Sequence, residues 1–227
     1  NRDAIDAEDG YDIFRACEKD ICGCWTVSGG VVHDLWRDKI WPDNLPYDYG
    51  FWIVDDVGSH DGTKCRDTEA LDVAVDELEF VVGDDVGGIG TFTHNFGYSL
   101  AYDPDFRYCA EEVSTDYPVE GVETYWMPSC LHSGGASGGP WIQNLDESTG
   151  AGQIYSVSSW SLGLGDSGMG GPIIEESAAR CLANAAREAD FLAMETEAEG
   201  HQGIFVNCYE RPCIPEEEVA RRKLRGQ

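Results

Sequence analysis

Short apolar and aromatic runs alternate with clusters of turn residues along most of the chain, and this rhythm predicts antiparallel β-structure. Residues 24–27 and 31–33 predict two short strands about a turn at Gly29-Gly30. Trp41-Pro42-Asp43-Asn44-Leu45-Pro46 is a turn-rich link delivering an aromatic and β-branched strand over residues 47–54. Residues 55–68 form a polar loop, and residues 71–82 fit a helical turn or strands equally well. Residues 92–98 and 107–113 are strand-like around a turn at Asp103-Pro104-Asp105, and residues 125–127, 141–143 and 154–160 add further strands. The tail changes character. Residues 175–199 are rich in Ala, Glu, Arg and Leu, and Ala179, Leu182, Ala183 and Ala186 fall on one helical face. Residues 215–225 suit a solvated helix with an acidic start and a basic end. No internal repeat is present. The pattern divides into a first β lobe (1–118), a second β lobe with the helix (119–199) and a cysteine-bearing appendage (200–227), with the lobe boundary near 115–122.

One stretch breaks the β rhythm. His132-Ser133-Gly134-Gly135-Ala136-Ser137-Gly138-Gly139-Pro140-Trp141 holds four glycines and two serines in ten residues. Glycine weakens strands and helices but suits turns and close backbone approach. Such a loop lets backbone N–H groups converge beside an open serine, which is what an oxyanion hole next to a nucleophile requires.

Composition narrows the function. Hydrophobic residues make up 42% and aromatics 11% of 227 residues, which describes a globular chain with an ample core. Asp and Glu number 43 against 15 Lys and Arg, for a net charge of -28. That charge repels phosphate backbones and anionic lipids, so neither nucleic acid nor a membrane surface is an expected partner. No run approaches 18 apolar residues, so no membrane-spanning helix is predicted. The nine cysteines show no paired Cys-x-x-Cys metal pattern, which places disulfides ahead of zinc and points to an oxidising, extracellular compartment. Cys208 and Cys213 are spaced to close a small loop. Nine is odd, and the acidic start Asn1-Arg2-Asp3 is no signal peptide, so a secreted protein would not begin here.

A serine becomes a nucleophile when a base takes its proton and a third group orients that base. In the order His, Asp, Ser the gaps are about 45 and about 93 residues in the best-known case. Asp48 lies 89 residues before Ser137, and Asp72 only 65 before it. Asp48 is therefore the favoured orienting carboxylate, with His33 and Asp72 as the rival pair.

Asp48-Tyr49-Gly50, Gly97-Tyr98, Tyr108-Cys109, Cys130, the 134–141 loop and Val157-Ser158-Ser159-Trp160 follow one another as in trypsin-like serine proteases. The chain resembles the secreted glutamyl-endopeptidase and bacterial-type branch over residues 24–187. The resemblance implies an all-β, chymotrypsin-like double β-barrel, its first barrel incomplete, with a C-terminal α-helix. It implies peptide-bond hydrolysis through an acyl-enzyme, no metal or organic cofactor, a monomer acting on protein or peptide substrates, and a Cys109–Cys130 disulfide under the loop. Position by position, Ser137 is the implied nucleophile and Asp48 the triad carboxylate. Gly135 and Ser137 supply the oxyanion N–H groups, and Ser159-Trp160-Ser161 the substrate-pairing edge. His132, Ser158 and Ser161 are implied around the pocket for the residue before the scissile bond.

The departures are as informative. The implied histidine belongs near residue 3 or earlier, yet the first histidine is His33, so the base and the start of the first barrel are expected upstream of Asn1. Glutamate-selective relatives carry a histidine where Ser158 stands, which argues against glutamate specificity. His60, His94 and His201 read as incidental. Ser167, in an echo of the Gly-Asp-Ser-Gly-Gly-Pro signature, lies 119 residues after Asp48 and reads as part of a pocket-closing loop. The chain is thus expected to be a secreted serine endopeptidase, or a catalytically inactive relative that binds peptides in the same groove.

Overall fold

The computed structural model describes residues 27–54, 77–83, 86–99, 106–114, 121, 123–163, 167–188 and 203–208. Eleven strands and two α-helices occur among them: β1 (Val27–His33), α1 (Asp34–Asp38), β2 (Gly50–Val54), β3 (Glu79–Phe80), β4 (Phe92–Tyr98), β5 (Phe106–Glu112), β6 (Tyr125–Met127), β7 (Pro140–Gln143), β8 (Gln153–Val157), β9 (Trp160–Ser161), β10 (Met169–Gly171), α2 (Glu176–Glu188) and β11 (Gly203–Val206). A 3-10 turn over Leu45–Tyr47 precedes β2. The strands form three sheets, ordered β11-β1-β2, β6-β10-β9 and β3-β8-β7-β4-β5.

The expected turn at Gly29-Gly30 is absent: β1 continues through both glycines, with a register shift between Val27 and Gly29. Gly30 pairs with Trp52, whose indole lies over it so closely that a Cβ on Gly30 would stand 2.7 Å from the ring. Here glycine makes room for a cross-strand aromatic, and the strand continues. The expected strand over 154–160 is likewise divided. Ser158 N–H donates to Gly139 O at 2.8 Å and Ser159 N–H to Gly170 O at 2.9 Å, so β8 and β9 join different sheets. Of residues 71–82, only 77–82 are described, and Glu79–Phe80 within them form the short strand β3; the loop at 55–68 and residues 115–120 of the lobe boundary lie outside the described residues.

Helix α2 packs on the first sheet. Its face of Ala178, Ala179, Cys181, Leu182, Ala185 and Ala186 is buried and forms one core with Val31, Tyr49 and Val206. Glu175 caps it, accepting from the N–H groups of Ser177 (3.0 Å) and Ala178 (2.9 Å), groups that have no partner inside the helix. Cys181 on the helix is bonded to Cys208 just beyond β11, so the expected Cys208–Cys213 loop is replaced by a bridge that ties the tail to the helix. A second core gathers Val113, Met127, Cys130, Ala136, Trp141, Tyr155 and Met169 under the glycine loop.

Candidate active site

The loop of residues 128–139 joins β6 to β7 and is held from three sides. Cys130 is bonded to Cys109 on β5, as the family resemblance implied. Ala136 N–H donates to Ser133 O at 3.2 Å and Gly139 N–H to Ala136 O at 3.0 Å, closing two turns. Gly138 N–H then donates to Ser158 O at 2.8 Å. Gly139 must be glycine here, because a Cβ would sit 2.2 Å from the Phe96 carbonyl oxygen. These bonds use the N–H groups of Ala136, Gly138 and Gly139 but not those of Gly135 and Ser137. Ser137 is left exposed at the crest, beside Gly135 with its φ of 98°.

Asp48 follows the 3-10 turn that ends the proline-containing link, half-buried ahead of β2. Its carboxylate accepts the Ser159 hydroxyl at 2.5 Å, a bond between residues 111 positions apart. Burial raises the Asp48 pKa above the ordinary carboxylate range, and the Ser159 bond opposes that rise. A cavity of about 690 Å³ has Asp48 and Ser137 in its walls together with Ser158 and Ser159. Gly30–Val32 of β1, Gly50–Trp52 of β2 and Gly203–Phe205 of β11 complete its other side. It is therefore a cleft between the first sheet and the Ser137 loop.

His132 does not line this cleft. It turns beneath the loop and is 2% exposed, because Asn95 on β4 offers it a partner there. Asn95 Nδ2 donates to Ser158 Oγ (2.8 Å) and Pro140 O (3.2 Å), which leaves Oδ1 to face His132 Nδ1 at 2.7 Å. His132 therefore carries its proton on Nδ1. Burial lowers its pKa, and the nearby Arg107 backbone partly opposes that fall. Trp141 Nε1 also donates to Ser158 Oγ at 3.3 Å, so Ser158 faces this network from within. Asn95 was not among the residues expected from sequence. Its signal lies in β4, where the aromatic positions point outward and Thr93 and Asn95, both buried, point inward.

Ser161 pairs with Met169 and Trp160 with Gly170 in β9, the outer strand of its sheet. The Trp160 indole stacks on Trp126, ring centroids 4.8 Å apart, and donates to Thr124 Oγ1 at 3.3 Å. His33 ends β1, fully buried, with Nδ1 3.1 Å from Leu35 N and 2.9 Å from Asp34 Oδ1. One atom cannot accept from the first and donate to the second at once; burial lowers this ring's pKa, which favours the neutral acceptor capping α1. Among the described histidines, His33, His94 and His132, none lines the cleft. Asp72, His60 and His201 lie outside the described residues, and Ser167 is exposed ahead of β10, away from the cleft walls. Cys109, Cys130 and His132 bring their sulfur and nitrogen atoms within 4.8 Å of one another, but the two sulfurs are bonded together and are not thiolate ligands.

No protein-family model and no curated protein matches the sequence. Solved structures do match. The protease Anisep from Arthrobacter nicotinovorans superposes with a TM-score of 0.58 at 22% identity, over 78% of this chain and 73% of that one. The thermostable serine protease AL20 from an extremophilic microorganism superposes with a TM-score of 0.55 at 21% identity, over 74% and 69%. The fold is chymotrypsin-like. The all-β architecture with a C-terminal helix expected from the sequence is thus present, and the sheets as described remain open.

Proposed function

We propose that this chain is a serine endopeptidase of the chymotrypsin type that works through an acyl-enzyme on Ser137. The observation that carries the reading is the shared cleft: Ser137 at the crest of its loop and Asp48 held by Ser159 face the same 690 Å³ space. An imidazole seated between them, supplied from outside the described residues, takes the Ser137 proton as Oγ attacks the peptide carbonyl carbon. Asp48, ionised, orients that ring and stabilises its charge. The N–H groups of Gly135 and Ser137 receive the oxyanion of the tetrahedral intermediate. The imidazolium then gives its proton to the leaving amine, and water, deprotonated by the same ring, releases the acid product. Substrate backbone adds to β9 along Ser159-Trp160-Ser161, which pairs on only one side among the described residues. With His132 and Ser158 engaged by Asn95, neither of them is offered to an acidic side chain before the scissile bond.

The test is labelling with a fluorophosphonate and mapping of the adduct by mass spectrometry. The protein from its complete reading frame is expected to carry the adduct on Ser137, and Ser137→Ala to lose it. The competing reading is an inactive relative that binds peptides in the cleft, favoured by the absence of a cleft histidine among the described residues. It predicts peptide binding without any Ser137 adduct, and that outcome would replace the enzyme reading.

A further inference from the structure

The outer face of the β4–β5 hairpin is aromatic where an outward face is ordinarily polar. The antiparallel register pairs Phe96 with Tyr108 and Tyr98 with Phe106, placing these rings on one side together with Phe92 and His94. Phe92 is 54% exposed, Phe106 55% and Tyr108 65%. The rings touch in series: His94 and Phe96 lie 6.4 Å apart and 10° from parallel, Phe96 and Phe106 6.0 Å and 10°, Phe96 and Tyr108 5.9 Å, and Tyr98 and Phe106 5.1 Å. Each ring is thereby braced by a neighbour, so a ligand would meet a face that is already ordered. The inward side chains of the same strand, Thr93 and Asn95, are fully buried. The aromatic row is therefore fixed outward by the core behind it. Contiguous exposed apolar surface of this kind marks an interaction site.

Charge selects the occupant. A chain of net charge -28 repels polyanions and a second copy of itself, and it attracts cations over the whole surface. At the end of the row, exposed Glu112 lies directly across from Phe92. Ring faces bind ammonium and guanidinium groups through their quadrupoles. The chain already uses this chemistry elsewhere: Arg37 sits 4.6 Å over the Phe205 ring and Lys39 5.6 Å over Tyr47. Among the described residues, no cation sits over the rings of the β4–β5 face.

We infer that the β4–β5 face is a docking surface for a Lys/Arg-rich polypeptide segment, which lays its cationic heads and alkyl stems along the aromatic row. The Ser137 loop packs against the opposite, inward face of β4, where a Cβ on Gly97 would stand 3.2 Å from Ala136 Cβ, so it does not cover the aromatic row. The inference concerns binding and does not rest on the peptidase reading.

The experiment measures binding of the full chain to a fluorescent Lys/Arg-rich peptide by anisotropy at low salt, beside Glu-rich and Ser/Gly-rich peptides of equal length. The basic peptide is expected to bind and the other two not to. The double variant Phe106→Leu/Tyr108→Leu keeps the charge and the apolar character but removes two ring faces, and should weaken binding roughly tenfold. Phe92→Leu, at the far end of the row, should give a smaller loss, and circular dichroism checks that each variant is folded. Unchanged affinity in the double variant would overturn the proposal, because the attraction would then be general charge alone. It would equally be overturned if the aromatic row bound a neutral oligosaccharide in place of the peptide, or if it mediated a dimer seen by sedimentation and lost on Tyr108→Ser.

Discussion

The Ser159 hydroxyl donates to the Asp48 carboxylate at 2.5 Å and joins the half-buried acid ahead of β2 to the edge strand of another sheet. Two substitutions separate what this bond does from what the charge costs. Ser159→Ala leaves a carboxylate short of a donor, and should lower stability by about 1 kcal/mol, below the range for a wholly buried charged bond because Asp48 keeps some water. Asp48→Asn keeps an acceptor for Ser159 while removing a charge that burial disfavours. It should raise the urea midpoint at pH 7 while slowing any fluorophosphonate reaction at Ser137. Equilibrium unfolding of both variants beside the parent chain checks the pair of signs. A lower midpoint for Asp48→Asn would mean that the ionised form is net stabilising.

Asn95 should prove the most sensitive polar position under the loop. Asn95→Ala removes the partner of His132 Nδ1 and a donor to Ser158, both buried, and a donor to half-buried Pro140. Each orphaned buried group costs about 1–3 kcal/mol, so a loss of roughly 3 kcal/mol is expected by urea unfolding. Asn95→Asp restores the acceptor without the donors and should recover only part of it.

Gly139→Ala should be disruptive although the change is one methyl. The added Cβ meets the Phe96 carbonyl oxygen at 2.2 Å and the Ala136 oxygen at 2.9 Å, both backbone atoms that cannot rotate away. The loop would have to lift from β4, at a cost of about 2 kcal/mol or more. Amide exchange of Gly138 and Ser158, whose bonds flank the contact, reads the displacement directly.

Two buried imidazoles weaken the fold on the acid side, against which the raised Asp48 carboxyl acts. His33 and His132 both have lowered pKa values, burial being the main cause in each. The unfolded rings take up a proton near pH 6.5 while the folded ones do so only lower down. The unfolded state thus binds more protons in that window, so stability is complete above about pH 6.5 and falls as the pH drops toward the folded values. Urea midpoints from pH 8 to pH 5 should decline accordingly, and His132→Gln should flatten part of the slope. An unchanged slope in that variant would assign the decline elsewhere.

Much of the fold could be read from local pattern. The strand expected over 92–98 is β4, and the alanine-rich face of α2 is apparent from its spacing alone. What local pattern missed depends on partners distant in sequence. Gly29-Gly30 looks like a turn until Trp52 is laid across it. His132 reads as a pocket residue until Asn95, 37 positions earlier, draws it inward. Cys208 has Cys213 nearby in sequence, yet strand pairing brings it to Cys181, 27 positions before it. Ser137 and Asp48 stood out as residue types at a plausible separation; that they share a cleft required the sheets to be built.

Strand β11 runs parallel to β1, matching Gly30 with Gly203 and His33 with Val206. The middle strand of the first sheet thus takes one of its two neighbours from residues made some 170 positions later. Contacts of such separation form late, since a long loop must close before they add stability. During synthesis, one side of β1 stands bare until residues 203–206 have left the ribosome and returned, and with it one wall of the cleft. The second core has no such dependence. A nascent chain would therefore finish the bed of the Ser137 loop before it finishes the facing wall of the cleft.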